Sequence, residues 1–228
     1  MANRHISPRL TKLISFSSRE GFRQAYTRVR VDPERYLRHV QRAHRLPVQS
    51  WKEMVLLGPE IVNPIAFGTI SGAAKFAGIE GMGLGLGGLL SFVPDMGALA
   101  AITMRLLQKL SLLYGFEYAT EDEMADLWLA AASAAGVDLA RDFVEKQAAE
   151  HLVPRMVDAI AMKAGADIAE KWAARLVPVL SAGAGAAVNY FFVRSWGRRA
   201  QKHFLTRHIA RIAQELPTAR WTPPAAVS

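Results

Sequence analysis

The chain contains no cysteine. That excludes disulfides, thiolate metal sites and cysteine nucleophiles. It also lacks an uninterrupted apolar run of the ~20 residues that a membrane-spanning helix requires. Two charge-free stretches come nearest, Gly81–Pro94 and Leu176–Val193. As helices they would cover roughly 21 and 27 Å, against a hydrocarbon core of about 30 Å. Pro178, Ser181 and Asn189 interrupt the second. Buried core helices, or a hairpin inserted part-way, fit these lengths better than spans. The N-terminus, MANRHISPRL, has no apolar signal-peptide core, which reads as a cytoplasmic protein.

Acidic residues are scarce at both ends. Residues 1–52 carry 12 Lys/Arg against three acids, and residues 194–228 carry seven against one. The two ends are therefore +9 and +6, the body between them is −7, and the whole chain is +8. Arg-rich ends of this kind suit nucleic acid or an anionic membrane face, or are simply solvated helix surfaces. Aromatics such as Tyr26, Tyr36, Trp51 and Trp196 do interleave with the basic residues. However, no zinc-finger, RNP-type or helix-turn-helix signature accompanies them, so nucleic acid is not the expected partner. Because the basic segments flank the apolar blocks, an anionic membrane surface or lipid is expected, or an apolar ligand, with a membrane protein as a further partner. The expected docking residues are Arg23, Arg28, Arg30, Arg35, Arg38 and Arg42 in the first arm, and Arg194, Arg198 and Arg199 in the second. Each contributes about 1 kcal/mol near an anionic leaflet.

Glycine is abundant where charge is absent. Ten of the 17 glycines fall between Gly58 and Gly97. Glycine is about 1 kcal/mol worse than alanine per helical position, so Gly81, Gly83, Gly85, Gly87 and Gly88 together cost roughly 4–5 kcal/mol of propensity. Close helix contact, or an apolar environment, would offset that. The small-xxx-small pairs Gly81/Gly85, Gly83/Gly87, Gly68/Gly72 and Gly183/Ala187 point to close packing, and Gly185 extends the last of them.

The rest of the chain reads as helix. Asp32-Pro33-Glu34 is a helix start, with an end expected near Leu46-Pro47. Ser50 is placed as the cap of a short segment from Trp51. Pro59 and Pro64 predict a break, with a separate helix over 65–77. Asp95 is the expected cap of a helix that closes at Gly115, and Thr120 with Glu123 forms a capping box for a helix closing at Gly136. Further helices are expected over 138–151 and 154–175, and the block 176–193 leads into a basic helix ending near Leu216. The fold class is all-α: a single multi-helix domain whose Gly-rich helices, 65–92 and 176–193, pack face to face. Its parts are a basic arm over 1–50, the helical domain over 51–216 and a tail over 217–228.

Catalytic constellations are missing. Gly83-x-Gly85-x-x-Gly88 matches the dinucleotide fingerprint in form, but it has neither the preceding strand nor the later acidic residue. His39/His44 and His203/His208 are five apart and read as surface histidines. Glu121, Asp122, Glu123 and Asp126 suit the first turns of a helix. No enzyme activity, metal or cofactor is expected. Asp95 and Asn189 are the polar residues of interest, each within or beside an apolar block.

The run GLGGLLSFVPDMGALAAITMRLLQKLSLLYGF, with its Gly-rich segment, Pro94-Asp95, Arg105 and Tyr114-Gly115, resembles the bacterial EcsC family. So does PVLSAGAGAAVNYFFVRSWGRRAQKHFLTR, through Pro178, Gly183, Gly185, Asn189, Gly197, Ala200 and Phe204. The resemblance covers most of 50–210 and leaves the basic arm outside. It implies a helical, membrane-associated protein at the inner face of the cytoplasmic membrane. Through the family's link to ABC-transporter genes, it implies help to a transporter, secretion or envelope process. The alternative expectation is a soluble helical interaction module.

Overall fold

Asp32 opens the first helix: its carboxylate accepts the Arg35 N–H at 3.0 Å, and Pro33 takes the first helical position. Helix α1 is Pro33–His44, and it stops at Arg45, whose left-handed φ of 53° turns its N–H back to the Gln41 carbonyl. The computed structural model describes residues 29–84, 92–136, 159–160, 162–163 and 182–215. Every regular element among them is helical, giving a single all-α domain.

A 3-10 turn, Lys52–Leu56, follows. Ser50 does not cap it, contrary to the sequence expectation. Its hydroxyl donates to Glu53 Oε1 at 3.2 Å, while Gln49 N–H donates to Glu53 Oε2 at 2.8 Å. The tighter turn puts Trp51 at the cap, and the Glu53 carboxylate reaches back over it.

Helix α2, Pro59–Leu84, is continuous through Pro64, so the predicted break does not occur. Pro59 sits in the first turn, where its missing N–H costs nothing. Pro64 forfeits one bond, to the Glu60 carbonyl, but Glu60 and Pro64 are both exposed, where water takes over that bond.

Helix α3, Phe92–Leu113, begins three residues before Asp95. Asp95 therefore lies in the first turn and not at the cap, and Pro94 occupies a position whose N–H has no helical partner anyway. The Asp95 side chain lies outside the described residues. The helix closes at Gly115 (φ +82°), where a Cβ would meet Val55 Cγ2 at 2.5 Å. Only glycine fits there. Helix α4, Glu121–Ala135, carries the expected capping box of Thr120 and Glu123 and ends at Gly136, φ 73°. Helix α5, Ala182–Glu215, runs unbroken from the apolar block into the basic segment. Of the helices expected over 138–175, residues 159–160 and 162–163 are helical and the rest lie outside the described residues.

The largest interface is α2 against α5. Glycine works here at two points. A Cβ on Gly78 would touch the Ala186 carbonyl oxygen at 3.4 Å, and one on Gly197 would press into Ile70 Cγ2 and Leu106 Cδ2 at 2.9 Å. Trp128, Trp196, Tyr114 and Phe204 fill the core around this crossing. Residues 29–50, assigned by sequence to a separate arm, join the same core through Tyr36, Val40 and Val48. His208 is fully buried, not a surface residue. Its Nδ1 lies 3.0 Å from the Tyr114 carbonyl oxygen and its Nε2 3.0 Å from that of Leu57. It thereby ties α5 to the ends of α3 and of the 3-10 turn.

Candidate anion-binding groove

Three helices each present one stripe to a common groove of about 510 Å³. The stripe on α1 is Tyr36, His39, Val40 and His44. That on α2 is Ile65, Gly68, Thr69, Gly72, Ala73 and Phe76, and that on α3 is Ile102, Arg105, Leu106 and Lys109. Each follows the three-and-four spacing that brings side chains to one helix face. Gly68 and Gly72 have nothing within 4 Å of where a Cβ would stand. The close packing expected of this pair is therefore absent: α5 crosses α2 on another face, at Gly78, and the bare backbone of Gly68 and Gly72 faces open space.

At one end the groove turns polar. The Tyr36 hydroxyl lies 3.5 Å from Thr69 Oγ1, and Lys109 Nζ sits 5.2 Å above the Tyr36 ring. Burial pushes the Tyr36 phenol up to about 12, partly offset by Thr69, so it stays a neutral hydrogen-bonding group. Lys109 is held below the ordinary lysine value, first by burial and then by the neighbouring Arg105 charge. Neither Arg105 nor Lys109 has an ion-pair partner among the described residues.

Tyr36, His39, Arg105 and Lys109 also line an adjoining cavity of about 590 Å³, which adds Arg30, Asp32, Arg35 and Arg42. Among the described residues, five cations thus line a cavity with one carboxylate, and Asp32 is already occupied with the Arg35 N–H. Such a concentration of unneutralised charge over a partly apolar floor is an anion-binding environment. A third cavity, of about 390 Å³ beside Phe116, is different: Lys52, Arg207 and Arg211 are answered by Glu117 and Glu123.

The sequence-predicted docking residues divide. Arg30, Arg35 and Arg42 converge on the cationic cavity. Arg38 does not line it and is paired with Glu34 at 3.6 Å. Arg23 and Arg28 lie outside the described residues. On α5, Arg194 and Arg198 stack over Phe67 at 5.8 and 5.6 Å, and Arg199 donates to Ser195 Oγ at 3.1 Å. Asn189 is buried. Gly81 and Gly83 fall in the last turn of α2, and Gly183 and Gly185 in the first turns of α5; Gly85, Gly87 and Gly88 lie outside the described residues.

Sequence reasoning missed Tyr36, His39, Thr69 and Lys109 as site residues and took Arg105 only as a family feature. The available signal was two cations four apart on the otherwise uncharged helix 99–113. Among the described residues no cluster of His, Asp or Glu is arranged to hold a metal. No described helix is long and apolar enough to cross a membrane.

The EcsC protein family matches residues 3–209, and the chain belongs to that family. The match takes in the basic N-terminal segment that the sequence resemblance had left outside. No curated protein and no solved structure matches the chain.

Proposed function

We propose that this EcsC-family protein is a non-enzymatic peripheral membrane protein. Its cationic groove docks on anionic lipid at the inner face of the cytoplasmic membrane, in support of a transporter, secretion or envelope process. The observation that carries this reading is the set of five cations, Arg30, Arg35, Arg42, Arg105 and Lys109, gathered around cavities that, among the described residues, hold one already engaged carboxylate. At about 1 kcal/mol each near an anionic leaflet, such a set gives useful but reversible docking.

The outer surface of α2 supports the same reading. The solvent face of α2 carries large apolar side chains, with Phe67 45%, Phe76 54% and Ile79 62% exposed. Phe191 on α5 is 64% exposed. Lys75, Arg194 and Arg198 accompany these side chains, as cations accompany apolar residues at a bilayer surface.

The test is co-flotation with phosphatidylglycerol vesicles. Replacing Arg35, Arg42 and Arg105 together by Gln should cut bound protein at least tenfold while leaving the circular-dichroism spectrum unchanged. Undiminished flotation of that variant would sink the proposal.

A further inference from the structure

We infer that the groove between α1, α2 and α3 holds one chain of a single phospholipid molecule, with its phosphate at the Tyr36–Lys109 end. This rests on the lipid reading above and goes further, because it replaces a charged surface with a defined pocket. Three independent observations carry it.

The first is size. A cavity of about 510 Å³ lies within the range of roughly 300–1,000 Å³ used for small-molecule sites. The second is polarity along the groove. Lys109 and Arg105 belong both to the groove and to the cationic cavity beside it, whereas Gly72, Phe76 and Ile102 line the groove alone. Charge is therefore gathered at one end and apolar surface at the other, and the apolar end opens at exposed Phe76. An anion with a hydrocarbon tail matches both ends, whereas free phosphate would leave the apolar end bare and a neutral hydrocarbon would leave Lys109 uncompensated.

The third is the backbone. Gly68 and Gly72 each forfeit about 1 kcal/mol of helix propensity relative to alanine, and among the described residues nothing lies within 4 Å of where a Cβ would stand on either of them. Packing among the described residues does not account for them. A chain laid over bare helix backbone does, since a larger side chain at either position would occupy its path. Partial burial of the Lys109 amine agrees: a half-desolvated cation without a counter-ion is costly until an anion arrives.

The experiment is isothermal titration of the full chain with decyl phosphate below its micellar concentration, and with inorganic phosphate and decanol as half-ligands. Decyl phosphate should bind at least tenfold more tightly than either. Gly72→Leu should weaken decyl phosphate at least tenfold without lowering the melting temperature, and Lys109→Gln should do the same should Gly72→Leu fold poorly. Equal affinity for phosphate and decyl phosphate would overturn the inference, as would equal affinity for decanol or full binding by a well-folded Gly72→Leu. The two levels fail separately. Gly72→Leu should still float with phosphatidylglycerol vesicles if docking is right, and loss of wild-type flotation with decyl phosphate binding intact would remove the docking and leave the pocket.

Discussion

The side-chain amide of Gln108 clasps the backbone at Val31: Oε1 accepts the Val31 N–H at 2.8 Å, and Nε2 donates to the Val29 carbonyl at 2.9 Å. Tyr118 completes the hold by donating to the Val31 carbonyl at 2.9 Å. Gln108 is 3% exposed, so both bonds are partly shielded from water. The residue between the clasped groups is Arg30, which lines the same cavity as Arg105 and Lys109. Gln108→Leu leaves the Val31 N–H and Val29 carbonyl without partners, at a cost of about 1–3 kcal/mol. Thermal melts should fall accordingly, and anionic vesicle binding should weaken because Arg30 is released. An unchanged melt would refute the clasp.

Glycines of the two packed helices α2 and α5 should respond in opposite directions. Gly68→Ala and Gly72→Ala meet open space and should each stabilise the chain by about 0.5–1 kcal/mol through helix propensity. Gly197→Ala drives a methyl group to 2.9 Å from Ile70 Cγ2, the stiff arm of a β-branched side chain. Overpacking of that kind costs about 1–3 kcal/mol, which exceeds the propensity gain. Chemical denaturation midpoints will separate the three, and a stabilising Gly197→Ala would contradict the described crossing.

Lys109 should be a stability liability retained for binding. Its folded value lies below the ordinary lysine value, through burial first and Arg105 second. Between those two values the unfolded chain holds more protons than the folded one, so stability rises with pH across that window. Lys109→Met should abolish this rise, lift the neutral-pH melting temperature by about 2–4 °C and weaken binding to anionic vesicles. A lower melting temperature would show that the lysine is paired after all.

The cap of α4, whose residues line neither the groove nor the cationic cavity, gives a control. Thr120→Ala should cost about 1 kcal/mol. Glu123 is held below its ordinary value chiefly by the Thr120 N–H. Its contribution is therefore complete above the ordinary glutamate value and is lost as pH falls through the lower, folded one. Glu123→Gln should remove that acid-side loss while leaving vesicle binding at neutral pH unchanged. Acid melts of both variants check the sign.

Features set by neighbours in the chain were legible in the sequence: Asp32 at its cap, the Thr120–Glu123 box, and Gly115 and Gly136 in left-handed closing turns. Pro64 and Asp95 misled because their local signals were outweighed. One missing hydrogen bond did not stop a helix whose inner face packs on α5, and α3 extends to Phe92 through Pro94. Gly68 and Gly78 look alike in sequence, and only the path of α5 decides that Gly78 meets a helix while Gly68 meets empty space. The groove was illegible for the same reason. Tyr36, Thr69 and Lys109 come from three helices, and nothing local to any of them announces the other two.

The most direct measurement is co-flotation of the wild-type chain with phosphatidylglycerol and with neutral phosphatidylcholine vesicles, at low salt and at 1 M. Screening shortens to about 3 Å at 1 M, so docking through Arg30, Arg35, Arg42, Arg105 and Lys109 should be strong on the anionic vesicles at low salt and greatly reduced at 1 M. The neutral vesicles should bind little at either salt. Absence of flotation with phosphatidylglycerol at low salt, or equal flotation with both lipids, would contradict the account.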